Sequence, residues 1–184
     1  MTIGLNVIQG LVTEAQMLKG KIAAPGNQQT VTIGGETKVF VSVKLGATVW
    51  QNGTLLILDG GGLNVAVTAS GAPALDQNPR VGVLVFASAT STQTLSATGV
   101  GWAQIYGQVL ARISASVTIP GEALGVGAGP GALLAQVGIS ASTMMHGITA
   151  IGTNTASVVA AGVALLSVFL NYPCFIGPPD TNLA

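Results

Sequence analysis

Hydrophobic and polar residues alternate along most of the chain after residue 30, and turn-forming residues interrupt the alternation at short intervals. In residues 38–44 (KVFVSVK) every second position is valine, and the longest alternating run, Trp102–Ser116, places Ile105, Val109 and Ile113 on one face. A period of two is typical of a half-buried strand, because successive side chains point to opposite faces. The chain is therefore predicted to be all-β, a compact β-sandwich or β-barrel of short antiparallel strands with an N-terminal extended arm.

The dipeptide Asn52-Gly53 separates two β-prone runs, residues 47–51 and 54–58. Asn-Gly at such a position predicts a β-hairpin with a type I′ turn, which needs φ > 0 at both central residues. Together with Thr54 the pair also forms a formal glycosylation sequon, which the predicted hairpin explains without any glycan.

Three segments follow from the pattern. Residues 1–30 are predicted to be an irregular N-terminal arm, which is compatible with a short amphipathic helical turn near Thr13–Lys19. Residues 31–176 are predicted to form a single β domain, and residues 177–184 a C-terminal tail. Pro173 and the two prolines that follow at 178 and 179 are expected to end regular structure. The arm has two interpretations: a first strand or frayed terminus, or a segment that docks on another subunit.

The composition excludes several classes of protein. Charged residues make up 7% of the chain with a formal net charge of zero, and hydrophobic residues make up 49%. A disordered chain would be polar and highly charged, and a nucleic-acid-binding protein would be basic, so neither class is predicted. The apolar segment 156–170 is shorter than the roughly 20 residues that a membrane-spanning helix needs. No membrane partner is therefore expected.

The residues that could be catalytic or bind a metal each have a structural explanation in their sequence context. His146 has no G-x-S-x-G motif to complete, and Asp59 and Asp76 stand in turn-forming sequence where Asp belongs. One His and one Cys cannot make a conventional zinc or iron site, and Cys174 is predicted to be a small buried hydrophobe. We therefore predict no catalytic residue, no cofactor and no metal site, and a protein that is not an enzyme.

Residues 81–111 and 123–179 contain no charged side chain. Monomeric β proteins commonly block their exposed strand edges with charges, especially lysine. The neutral tracts therefore predict that these strands are covered by other copies of the chain or by a partner protein, as in an obligate assembly component.

Three stretches resemble the decoration (cement) proteins of tailed-bacteriophage capsids: Gly101–Ile113, Ile119–Val126 and Gln136–Ile139. Like those proteins, this chain has an alternating strand that begins with an aromatic residue, then a Pro-Gly-x-x-Leu turn, and then a strand in which a polar residue precedes Val-Gly. The likeness spans residues 38–171. The resemblance implies a structural virion protein on the outer surface of an icosahedral head. It would bind between subunits of the major capsid protein, as a homo-oligomer, with a trimer favoured.

An arm that reaches a neighbouring subunit would suit this role. We expect Leu5, Val7, Ile8 and Leu11 to contact the capsid or another subunit, although residues 1–37 lie outside the likeness.

Other functions stay open at this point. One is a different virion part, such as a head fibre or a jelly-roll capsid protein. Another is a carbohydrate-binding or adhesin module that stacks sugars on Trp50, Trp102 or Tyr106, and an enzyme is the last.

Overall fold

The computed structural model describes residues 12–13, 26–33, 35–45, 49–58, 65–68, 80–85, 92–94, 99–113, 120–126, 133–135, 144–153 and 164–175. These ranges contain no helix, and so none that is long and apolar enough to cross a membrane. The strands are β1 (Val12–Thr13), β2 (Gln28–Ile33), β3 (Glu36–Leu45), β4 (Val49–Gln51), β5 (Leu55–Leu58), β6 (Val65–Thr68), β7 (Arg80–Val85), β8 (Thr92–Thr94), β9 (Gly99–Arg112), β10 (Ala123–Val126), β11 (Leu133–Ala135), β12 (Met144–Ala150) and β13 (Leu165–Phe175). The prediction of an all-β fold is confirmed.

Five of the strands close a ring of hydrogen-bonded ladders. β9 pairs with β3, β3 with β6, β6 with β5, β5 with β7, and β7 returns to β9. The β3–β6 ladder is parallel and the other four are antiparallel. Closure of the ring makes a small barrel, in which these strands pair on both sides over part of their length.

The second half of β9 leaves the barrel and begins an open extension of the sheet. Residues 106–112 of β9 pair with β13, β13 pairs with β12, β12 with β10, and β10 with β11. One 14-residue strand is thus shared by the barrel and the extension. Because β9 belongs to both, the two parts are held together by a continuous backbone ladder.

The described residues form two hydrophobic clusters. One lies inside the barrel and includes Val41 and Val43 of β3, whereas the other lies between the barrel and the extension and includes Leu166 and Val168 of β13. β5 contributes to both, since Leu56 and Leu58 belong to the first cluster and Leu55 and Ile57 to the second. This strand is buried on both faces, which explains its uninterrupted apolar sequence.

The predicted face of β9 is divided between the two clusters. Ile105 belongs to the barrel cluster, whereas Val109 and Ile113 belong to or pack against the other. Gly107 lies between them with φ +93°, and the β3–β9 register shifts where Val39 faces Tyr106. Alternation alone could not show this division, because the local irregularity changes what the strand faces without breaking its period of two.

Asn52-Gly53 does form a turn, but the predicted hairpin is wrong. β4 pairs with β8 rather than with β5, and only Gly53 has positive φ, as in a type II turn. The Gly53 amide donates to the Leu84 carbonyl and its carbonyl accepts from Arg112, each at 2.9 Å. Asn52 and Thr54 are buried with it. The turn is therefore an internal connection held between β7 and β9.

Regular structure also extends beyond two predicted limits. β2 begins at Gln28 and pairs along β3, and β13 continues through Pro173 to Phe175. Tyr172, just before the proline, has φ +47°, so the strand passes the proline at an irregular position where a missing N–H is tolerated. Apart from β1 and residues 26–30, the predicted arm lies outside the described residues.

Candidate interaction face

The outward side of β9, β13 and the end of β12 forms a continuous surface, here called the outer face. Its first row joins Leu110 to Ser167 across the β9–β13 ladder, and the Ile151 amide donates to the Ser167 carbonyl at 2.9 Å. The second row is Gln108, Phe169 and Thr149. A third row pairs Tyr106 with Asn171, next to Tyr172. Directly opposed residues in an antiparallel pair share a face, so these side chains lie together.

The outer face exposes large hydrophobic side chains, and the charged residue among its described rows is Arg112, which lies opposite Leu165 at the end of the β9–β13 ladder. Leu110 is 39% exposed, Ile151 42%, Phe169 39% and Tyr172 53%. The intervening residues of β13 point inward and are almost fully buried, as Leu166, Val168 and Leu170 show. Such exposed apolar groups grouped on one surface are typical of interaction sites rather than of a freely solvated face.

Three aromatic rings cluster at one end of the outer face. The ring centroid of Tyr106 lies 5.6 Å from that of Phe169 at an interplanar angle of 74°, and 5.3 Å from that of Tyr172 at 34°. Tyr106 also packs against the barrel cluster. These are favourable edge-to-face and tilted arrangements, and they fix the position of Tyr106 within the surface.

A pocket of about 260 Å³ opens beside this cluster. Tyr106 and Phe169 supply its aromatic lining, Glu36 and Thr37 line it from β3, and residues 107 and 108 complete it. The pocket thus joins two rings, a carboxylate, a hydroxyl and an amide. It lies where β3 and β9 meet, at the edge of the outer face.

Hydrogen bonds hold the backbone that forms this pocket. The buried Gln104 amide nitrogen donates to the carbonyls of Tyr106 and Gln108, each at 3.0 Å. The Lys38 ammonium donates to the Gln108 carbonyl at 2.9 Å, and the Gln108 amide donates to Ser167 Oγ at 2.8 Å. A buried amide with satisfied partners specifies one local geometry, so the pocket is preformed.

Some of the residues that the sequence singles out lie within the described ranges, and others lie outside them. The four expected contact residues, Leu5, Val7, Ile8 and Leu11, lie outside the described residues, as do Asp59 and Asp76. Trp50 and Trp102 are buried, which removes them as sugar-stacking residues, and Tyr106 remains accessible in part.

His146 and Cys174 lie opposite each other on β12 and β13, with His146 exposed and Cys174 half-buried. His146 is therefore a strand residue, and Cys174 is less buried than predicted. Within the described ranges, no group of three or more His, Cys, Asp or Glu residues could hold a metal ion.

The alternation pattern did not predict that Phe169 and Tyr172 lie on the surface. The alternation of the run Trp102–Ser116 places Tyr106 on the side of β9 opposite Ile105, and this is the signal that the sequence offers. Phe169 reads as one apolar residue in an apolar run, so only its pairing with Gln108 shows that it faces outward.

No protein-family model matches this chain, and no curated protein matches it significantly. The interpretation of the outer face therefore depends on its own geometry and on the sequence.

Proposed function

We propose that this chain is a non-catalytic structural protein that decorates and stabilises an icosahedral bacteriophage head by binding between major capsid subunits. The observation that carries the proposal is the outer face, in which Leu110, Ile151, Phe169 and Tyr172 are exposed on a surface whose rows from Tyr106 to Leu110 hold no charged residue, with Arg112 at one end. The centres of protein interfaces are depleted in charged residues and enriched in aromatic ones, which this surface matches.

The continuous sheet suits a mechanical role. β9 links the barrel to the extension, and its backbone pairs with β3, β7 and β13 along its length. Force applied across the outer face would therefore be carried by ladders of hydrogen bonds that must break together. A protein that clamps neighbouring capsid subunits together needs a β body of this stiffness.

The decoration role itself is supported by the sequence resemblance. Its most detailed stretch, Gly101–Ile113, supplies Tyr106, Gln108 and Leu110 of the outer face. The proposed partners are the major capsid protein and other copies of this chain, as a trimer, at the outer surface of the virion.

Co-sedimentation with shells of the major capsid protein, from the phage whose genome carries this gene, tests the proposal. The unmodified protein should pellet with the shells, whereas Leu110→Lys combined with Ile151→Lys should weaken binding roughly tenfold or more, since a charge would be buried without a partner.

A matched control places lysines elsewhere. Asn27 and Gln28 are exposed at the start of β2, where Gln28 pairs with Val41 and not with a residue of the pocket, so Asn27→Lys with Gln28→Lys should leave shell binding unchanged. A stable monomer at micromolar concentration with no affinity for any shell would refute the proposal.

A carbohydrate-binding function is the second candidate, favoured by the pocket beside Tyr106 and Phe169. It loses two of its three proposed stacking residues to burial. Specific glycan binding that Tyr106→Ala abolishes would support it over the capsid role.

A further inference from the structure

The pocket at the edge of the outer face differs from the rest of that surface because it has a carboxylate. Glu36 lines it together with Tyr106 and Phe169, whereas the charged residue among the described rows of the outer face is the cation Arg112. We infer that this pocket binds the guanidinium group of an arginine side chain presented by the protein partner. The identity of that partner rests on the proposed function, but the cation-binding chemistry does not.

The two rings provide the first part of the argument. Tyr106 and Phe169 stand at 74° to each other and both line the pocket. The face of an aromatic ring carries partial negative charge and attracts a cation, most often the guanidinium of arginine in proteins. A planar guanidinium can lie along one ring while its N–H groups point toward acceptors at the side.

The carboxylate of Glu36 provides the second part. Its side chain is 50% exposed, and among the described residues it forms an ion pair with the Lys38 ammonium at 3.9 Å, beyond hydrogen-bond distance. Lys38 does not line the pocket, and its ammonium donates to the Gln108 carbonyl. The Glu36 carboxylate therefore retains acceptor capacity, and a forked guanidinium in the pocket that it lines could donate two hydrogen bonds to it.

The size of the pocket provides the third part. Its volume of about 260 Å³ is below the roughly 300–1,000 Å³ of sites for drug-sized ligands. One side chain fits this space better than an extended ligand. Arginine is also enriched in protein interfaces, and the pocket is continuous with the outer face through Phe169 and Gln108.

The experiment is a nuclear magnetic resonance titration of the full chain with labelled tyrosine. Tyr106 and Tyr172 are the two tyrosines of the sequence, so Tyr172→Phe assigns the ring signals. N-acetyl-arginine methylamide should shift the Tyr106 signal in a saturable way. N-acetyl-citrulline methylamide, which has the same shape and no charge, should bind about tenfold more weakly.

Glu36→Gln should remove the preference for arginine over citrulline. Glu122→Gln is the matched control, because Glu122 precedes β10 and does not line the pocket, and it should keep the preference. Equal shifts with both probes, or a preference that survives Glu36→Gln, would overturn the inference. So would a Tyr106 shift with methyl glucoside and none with arginine, which would make the pocket a sugar site.

This titration contains no capsid protein, so the two proposals can fail separately. Loss of shell binding with retained arginine binding would overturn the decoration role alone. Shell binding by the unmodified protein, together with equal binding of arginine and citrulline by its pocket, would overturn the arginine site alone.

Discussion

Gly107 is the residue on which the geometry of the pocket depends most directly. It has φ +93°, and a Cβ added there would lie 2.7 Å from the Thr37 carbonyl oxygen and 3.2 Å from Lys38 Cγ. A side chain would thus push β3 away from β9 where both line the pocket. The neighbouring carbonyls of Tyr106 and Gln108 are already held by the buried Gln104 amide, which leaves little freedom to relax.

We therefore expect Gly107→Ala to lower the free energy of unfolding more than Gly121→Ala does. Both glycines have positive φ, so both substitutions carry the cost of about 1–2 kcal/mol for a left-handed residue. At Gly121 an added Cβ meets nothing within 4 Å, whereas overpacking at Gly107 should add roughly 1–3 kcal/mol. Urea unfolding of the two variants measures the difference, and equal losses would contradict the close approach.

At the scale of elements, β5 is the strand that joins the two hydrophobic clusters. Its four residues are all buried and point alternately into the barrel and into the space beneath the extension. The sequence shows this strand as an apolar run, and such a run is compatible with burial on both faces. Which cluster each residue enters depends on β7 and β9, which are distant in sequence, so the run alone could not assign it.

Leu56→Ala in the barrel and Leu55→Ala beneath the extension should each cost about 2–5 kcal/mol of stability, because each leaves a cavity in a closed cluster. Leu110→Ala, on the outer face, should change stability by less than about 0.5 kcal/mol. Thermal or urea unfolding measures all three. A small effect at Leu55 would show that the second cluster is not closely packed.

At the scale of the whole molecule, the proposed function needs a rigid β body and an arm that contacts the capsid or another subunit. Val12–Thr13 pairs with Val100 and Gly99 at the start of β9, so these two residues are attached to the barrel. The four predicted contact residues lie in the segment that precedes them, and their role stays a prediction.

Removal of residues 1–11 should weaken attachment to capsid shells and leave the unfolding midpoint of the β body unchanged. β1 and its pairing with β9 are retained in this variant, so stability serves as the internal control. Co-sedimentation and urea unfolding of the same preparation measure the two quantities. Unchanged attachment would show that Leu5, Val7, Ile8 and Leu11 are not capsid contacts.

The sequence by itself determined the β class and the neutrality of the long tracts, because a period of two and the absence of charge are local properties of the chain. The tertiary structure alone decided that Trp50 and Trp102 are buried, that Asn52-Gly53 is an internal turn, and that Phe169 faces outward beside Tyr106. Each of these depends on pairing between strands far apart in sequence, above all β9 with β3 and β13. Strand periodicity gives two faces, and only the register between distant strands decides which of them meets solvent.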